Sequence, residues 1–378
     1  MQPRERLLKC LAGEVPDCVP VDPDFSNMIP CRLTGKPFWD IYLYNDPPLW
    51  KAYVDCAKFF DIDSLLCAYY IDLFPPPPGS VPAWEQFIVF RNDEWIVTQW
   101  SHADDGKRIW RDTVDVFYVA DPPTHNVVPA KIGLSPVPKQ FEPVEGGNPP
   151  DTGPDALAKI KDAMGDQGLV GVTCAGTVAL HSPEAVYRYY DNPREHEEWA
   201  NRRLVAAKER FTRIMAMDVK PDFLSVGGSG TLVYQNIEIF RKIAFPAVRR
   251  TIEQATAIGM PTHVHSCGPE RELVRIFAEE TELTVIDPLE PRPMGDCDLA
   301  ELKRLYGDGI VLKGNLHTTD VMLRGSAQDV VDASKKAIDD AAAGGRFILS
   351  TGDQCGRDTP DRNLHAMVET ARTYGRYD

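Results

Sequence analysis

The sequence has no apolar run approaching the roughly 18–20 residues of a membrane span, and its opening, MQPRERLLKC, lacks the apolar core of a signal peptide. It also lacks a basic excess. Lysine and arginine number 41 against 56 aspartates and glutamates, a formal net charge of −15. That balance argues against nucleic acid as the main partner, because phosphate binding needs a basic face. The cysteines form no evident framework: nine of them, an odd number, are scattered through 378 residues. Free thiols in a reducing compartment fit this better than disulfides. Familiar enzyme motifs are missing too. GGSGT (227–231) has neither the G-x-G-x-x-G nor the Walker spacing, and no G-x-S-x-G elbow occurs. The expectation is a cytoplasmic protein, with no membrane and no nucleic acid among its partners.

What is present is a chain that is 43% apolar, enough to bury a large core. Residues 3–12, PRERLLKCLA, have the helical period, VPVDPDF reads as a short strand, and DPPLWKAYVDCAKFFDI is amphipathic. SLLCAYYID is strand-like and is ended by FPPPPG. The texture then changes. WEQFIVF, EWIVTQWSH and KRIWRDTVDVFYV, joined by RND and ADDG, predict a three-stranded antiparallel meander over about 83–120. A Pro/Gly-rich connector follows at 135–154. From GLVGVTCAG onward, strand and helix alternate to the end of the chain, and the residues just after each strand are polar or glycine-rich. That is the rhythm of repeated βα units. The fold expected is α/β, a (β/α)8 TIM-like barrel as one domain over 1–378, with an N-terminal helical elaboration (1–60) and the inserted meander. A doubly wound sheet is the second choice.

In both architectures ligands bind at the C-terminal ends of the parallel strands. The polar residues expected there are His265 and Cys267, Asp287 and Glu290, Asn315 and His317, then Asp353 and Cys355. Side chains alternate along a strand, so His265 and Cys267 project to the same side, as does His263. A catalytic zinc takes three imidazole, thiolate or carboxylate ligands and keeps one position open. By spacing alone, THVHSCG is first a histidine and a cysteine of an ordinary strand and only second a metal pair. Cys355 could complete a His/Cys/Cys set. Glu290 could add a fourth ligand or an acid/base group, and Asp353 could orient a ligand or bind metal itself. Cys297, in a loop leading to a helix, reads as a non-ligand.

ERLLKCLAGEVPDCVPV, MPTHVHSCG, LKGNL and RFILSTGDQCGRDTPDRNLHAMV, in this order and spacing, resemble the uroporphyrinogen decarboxylase superfamily over nearly the whole chain. The resemblance implies a distorted (β/α)8 barrel with its cleft at the C-terminal strand ends. It offers two chemistries. The metal-free decarboxylase branch carries an arginine-rich N-terminal signature, absent near VPVDPDFSNMIPCRL. The cobamide-dependent methyltransferase branch holds zinc through H-x-C and a distal cysteine, which His265, Cys267 and Cys355 match. In many such enzymes the distal cysteine directly follows a glycine at the last strand end, where this chain has Asp353. The resemblance therefore implies a zinc-dependent methyltransferase acting between a small methyl donor, an aryl methyl ether for example, and the cobalt of a corrinoid. No D-x-H-x-x-G corrinoid signature occurs, so the corrinoid would come on a separate protein. A homodimer is compatible with this reading. The rivals are a metal-free decarboxylase and a non-catalytic subunit that holds a cobamide or tetrapyrrole.

Overall fold

The computed structural model describes residues 1–77 and 84–377. Residue 83, where the sequence sets the start of the meander, lies outside them. The chain divides into two compact units. One comprises Met1–Asp24, Ala57–Tyr70 and Leu157–Asp378, the other Phe25–Cys56 and Ile71–Ala156.

Strand β1 (Ser64–Cys67) belongs to the larger unit. The next five belong to the smaller: β2 (Glu85–Arg91), β3 (Trp95–Asp104), β4 (Lys107–Tyr118), β5 (Thr124–Val127) and β6 (Glu142–Pro143). The last six return to the larger: β7 (Gly168–Thr173), β8 (Phe223–Ser225), β9 (Thr262–His265), β10 (Val285–Asp287), β11 (Val311–Leu316) and β12 (Phe347–Thr351).

The smaller unit is an antiparallel sheet in the order β5-β4-β3-β2-β6. The three expected meander strands form its centre. Its edges are β5 and the two-residue β6, which falls inside the stretch read as a connector. Ile88, Ile96 and Phe117 are buried with Trp39 and Tyr42 packed against them, while Arg108 lies 4.3 Å over the ring of Phe87.

The larger unit carries a parallel sheet whose spatial order, β1-β7-β8-β9-β10-β11-β12, is the order of the chain. A doubly wound sheet reverses its strand order part-way, so that alternative is excluded. The expected strand in VPVDPDF is a single parallel bridge, Val21 to Leu349 of β12. On its other side Val21 accepts a hydrogen bond from the Asp63 N–H, at 2.8 Å, just before β1. Pro20 and Pro23 bracket this bridge and have no N–H to offer, which keeps the pairing from extending.

The inner face of the sheet is layered. Leu65, Leu169, Phe223, Val285, Val311 and Ile348, one from each of six strands, form a buried apolar cluster closed by Leu7, Cys10 and Leu11 of the first helix, Pro3–Ala12. Two residues further along the same strands, on the same face by alternation, stand Cys67, Gly171, Ser225, Asp287, Lys313 and Ser350. Gly171 has no side chain because the ring of Phe223 fills that space, 2.4 Å from where a Cβ would stand. The layer nearer the strand starts is therefore apolar, and the layer towards the strand ends is polar.

The helices Pro183–Asp191 and His196–Met215 are broken apart at Asn192-Pro193, and a helix that the sequence reading passed over, Gly153–Met164, begins inside the stretch read as a connector. Residues 237–258 do not form one regular helix: they widen to a π turn over Phe240–Ala244 before Phe245–Thr256. Pro246 lacks the N–H that a regular turn would use there.

Near the strand starts, Asp222 accepts hydrogen bonds from Arg4 (2.6 Å), Lys161 (2.9 Å) and the Val170 N–H (2.9 Å). Burial alone would raise its carboxyl pKa, but these donors outweigh it and hold it below the ordinary range. A depressed folded pKa contributes stability above the unfolded value, and that contribution is lost as pH falls through the folded value. Asp222→Asn is expected to cost about 1–3 kcal/mol at pH 7. The gap to the parent should close as pH drops below about 4, as read by urea denaturation across pH.

Candidate metal centre

The polar layer is organised around Asp287, the last residue of β10. Its Oδ1 accepts from His263 Nε2 at 3.1 Å and from His265 Nδ1 at 3.0 Å. Its Oδ2 receives Lys313 Nζ at 2.6 Å, and the same ammonium lies 3.1 Å from Asp22. All but His265 in this group are more than nine-tenths buried. Burial opposes the charge on Asp287, yet Lys313 and the two imidazoles hold its pKa well below the ordinary range. Burial likewise opposes the charge on Lys313, and the two carboxylates raise its pKa regardless. Only mutual pairing makes such charges tolerable away from water.

With Nδ1 committed to Asp287, His265 turns Nε2 towards the strand ends, 3.7 Å from Asp353 Oδ1. Imidazole, the Cys267 thiol and the Asp353 carboxylate each offer a ligand atom, and the three atoms lie within 4.8 Å of one another. One nitrogen, one sulfur and one oxygen donor, with the histidine fixed from behind by a carboxylate, are a set that could hold a metal ion. Asp353 stands at φ 98°, a region that residues other than glycine rarely occupy. Holding it there costs on the order of 1–3 kcal/mol, and such strain clusters at functional sites. Burial, with Asp24 and Glu290 nearby, raises its pKa to about 6 against the lowering effect of His265.

The other candidates are placed differently. Cys355 is fully buried and outside the group of three, its thiol near the Thr351 and Thr359 hydroxyls. Burial, with Asp24 adding to it, pushes that thiol up to about 12. Glu290 is buried and accepts a short hydrogen bond from the Gly268 N–H, immediately after Cys267. The Asn315 amide donates to the Leu289 carbonyl at 3.1 Å. His317 Nδ1 accepts from the N–H groups of Thr319 and Asp320, as a helix cap does. Cys297 is buried, with no ligand partners in the group of three.

Sequence reasoning passed over Lys313, Asp22 and Glu270. The signal for Lys313 was a lysine in IVLKGN, two residues after a core valine on a strand buried on both faces. Glu270 is fully buried, accepts from the Leu289 N–H at 2.9 Å, and is pushed well up in pKa by its burial. GGSGT also finds its use. At Gly227 a Cβ would stand 2.3 Å from the His265 nitrogen, and the Gly228 N–H donates to the His265 carbonyl at 2.8 Å. These glycines let the end of β8 pass close against the ligand-bearing strand.

A parallel sheet with an imidazole, a thiol and a carboxylate gathered at its strand ends defines the class of α/β proteins that place a site there. The resemblance to the uroporphyrinogen decarboxylase superfamily is borne out within it: residues 235–374 match the family model described as uroporphyrinogen decarboxylase (URO-D). Among characterised relatives, the methylcobamide:CoM methyltransferase MtbA of Methanosarcina mazei is 27% identical over 139 residues. The protein of that name from Methanosarcina acetivorans is 24% identical over the same length. Each match spans 36% of this chain and 37% of the relative. A solved structure, a methyltransferase from Methanosarcina mazei, superposes with a TM-score of 0.60 over 99% of both chains at 15% identity, a likeness of fold. No helix among the described residues is long and apolar enough to cross a membrane.

Gly227→Ala is expected to lose about 1–3 kcal/mol, because the new methyl meets backbone that cannot retreat. Gly230→Ala, whose Cβ would meet the ring of the exposed Tyr234 and, at ordinary contact distance, Val233 Cβ, still carries the cost of a positive φ and is the comparison. Thermal denaturation that ranks Gly227→Ala no worse than Gly230→Ala would contradict this account of the loop.

Proposed function

We propose that this chain is a cytoplasmic, zinc-dependent methyltransferase that moves a methyl group between a small donor or acceptor and the cobalt of a corrinoid carried by a separate protein. The observation that carries the reading is the convergence of His265, Cys267 and Asp353 at the strand ends, with His265 oriented by Asp287. The local likeness to methylcobamide:CoM methyltransferases supports the choice of chemistry. We take the sheet as a (β/α)8 barrel in which residues 20–22 stand between β12 and β1; the bridge of Val21 to Leu349 supports this.

His265 and Cys267 would hold the ion. In GDQCG, Asp353 is the residue whose ligand atom lies with theirs, and Cys355 is the one the resemblance favours. Zinc supplies Lewis acidity, which stabilises a bound thiol as its thiolate or polarises the oxygen of a methyl ether. The residues of this chain prepare the place for that chemistry. Asp287 fixes the imidazole, and the apolar layer beneath keeps bulk water from the floor. Glu290, read from the sequence as a fourth ligand or an acid/base group, we assign to holding the Cys267–Gly268 turn through the Gly268 N–H. Asp353, with its pKa raised to about 6, is the titrating carboxyl at the mouth.

Metal analysis is the first test. Wild-type protein purified without chelators should carry about one zinc per chain, and Cys267→Ala and Asp353→Ala should lose it. Loss in Cys355→Ala with retention in Asp353→Ala would give the third place to Cys355. A wild type free of metal would favour the metal-free decarboxylase. The second test is turnover. Free methylcobalamin offered with small thiols, or cob(I)alamin with methyl ethers, amines and thioethers, should show the spectral change of the cobalt, abolished in Cys267→Ala. Zinc-loaded protein that transfers no methyl group to or from cobalamin with any of these would sink the methyltransferase reading and leave the metal site standing.

A further inference from the structure

Lys313 takes no part in the ligand set, yet it stands directly behind it. Its ammonium is fully enclosed, 2.6 Å from Asp287 Oδ2 and 3.1 Å from Asp22 Oδ2. The other oxygen of Asp287 is shared by two imidazoles, His263 and His265. A carboxylate on a strand can turn about its last side-chain bond, and that torsion is broad. Hydrogen bonds to one oxygen alone leave the plane of the group free to rock. Lys313 removes this freedom by pinning the second oxygen from the opposite side, across the neighbouring strand β11.

We infer that Lys313 is a positioning residue for the metal: by clamping Asp287 it holds His265 in the orientation that presents Nε2 to Cys267 and Asp353. The inference rests on the metal reading above and adds to it a residue outside the ligand set. Asp22 then has a different part. It balances the ammonium from the segment that bridges to β12, while the carboxylate that the two imidazoles bond is Asp287.

The two roles separate experimentally. Lys313→Met keeps the volume of the stem and removes the clamp. Asp22→Asn keeps the clamp and removes the second carboxylate. Both variants should melt below the wild type, since each leaves a buried charge short of a partner. Only Lys313→Met should weaken the metal, by about 10–100-fold, the usual effect of removing a partner behind a ligating histidine. The readout is affinity for zinc by chelator competition, with the visible spectrum of the cobalt(II)-substituted protein beside it. In Lys313→Met that spectrum should keep its thiolate-to-cobalt band and change its d–d bands, because Cys267 stays and the imidazole shifts. Wild-type affinity in Lys313→Met overturns the inference and leaves the metal site intact. Equal weakening in both variants also overturns it, since a general loosening of the barrel would then suffice. Should Lys313→Met not fold, Lys313→Gln is read by the same measurements with the same consequences. A wild type that binds neither metal fails the reading and the inference together.

Discussion

One buried ammonium holds two carboxylates inside the parallel sheet, and the chemistry of the molecule is arranged around it. Asp22 and Asp287 each lie within 3.1 Å of the Lys313 nitrogen, and all three side chains are all but removed from water. Desolvating three charges costs several kcal/mol for each ion, and hydrophobic residues of similar volume would often serve stability as well or better. A chain that folds around such a group commits the strands bearing it to one register. Shifting β10 or β11 by a single residue would swing Asp287 or Lys313 to the other face and leave its partner charged and alone. The ionic group thus acts as a register lock for the part of the sheet that carries the candidate ligands.

The lock extends into the N-terminal segment. Asp22 N–H donates to the Leu349 carbonyl, and Leu349 N–H to that of Pro20, at 2.9 and 2.8 Å. Two residues on, Asp24 donates its N–H to Thr351 Oγ1 at 3.0 Å and accepts from the Cys355 N–H at 2.8 Å. Below, the fully buried Asp63 accepts from Arg6, from Arg372 (2.7 Å) and from the Val21 N–H (2.8 Å). Residues 20–24 therefore touch the carboxylate that orients His265 through Lys313, and also the loop that bears Asp353. A segment with almost no strand character of its own joins both halves of the candidate ligand group.

The sequence displayed the alternation of strands and helices and the placing of the site at strand ends. Both follow from short-range pattern: a period of two in GLVGVT or RFILST, a period of 3.6 in the helices, and polar residues where a strand leaves the sheet. The H-x-C pair was visible for the same reason. What the pattern hid depends on contacts between distant residues. Asp22 and Lys313 are 291 positions apart (313 − 22), and nothing local in VPVD announces a buried charge. The use of GGSGT as a close-packing surface against His265 depends on which strand lies beside β8, which is a matter of topology. The weak strand at 20–22 was legible as β-like but not as a lone bridge, because its prolines limit it only once both neighbours are known.

The choice between the two candidates in GDQCG turns on how the loop is tied. Gly352 N–H is held by the Leu316 carbonyl at 2.7 Å, and Cys355 N–H by Asp24 at 2.8 Å. Between these anchors only Asp353 and Gln354 are left to project, and Asp353 does so from a φ of 98°. The Cys355 sulfur lies outside the group that His265, Cys267 and Asp353 form, and burial raises the pKa of its thiol to about 12. A carboxylate in the third place changes the chemistry as well as the geometry. One thiolate instead of two leaves less negative charge on the ion and a harder donor set. Such a site is the stronger Lewis acid, better suited to polarising an ether oxygen, while a second thiolate would favour the release of a bound thiolate as nucleophile. In the function we propose, the third ligand and the reacting partner would be linked: an oxygen-bound methyl donor would go with Asp353, and a thiol acceptor with Cys355.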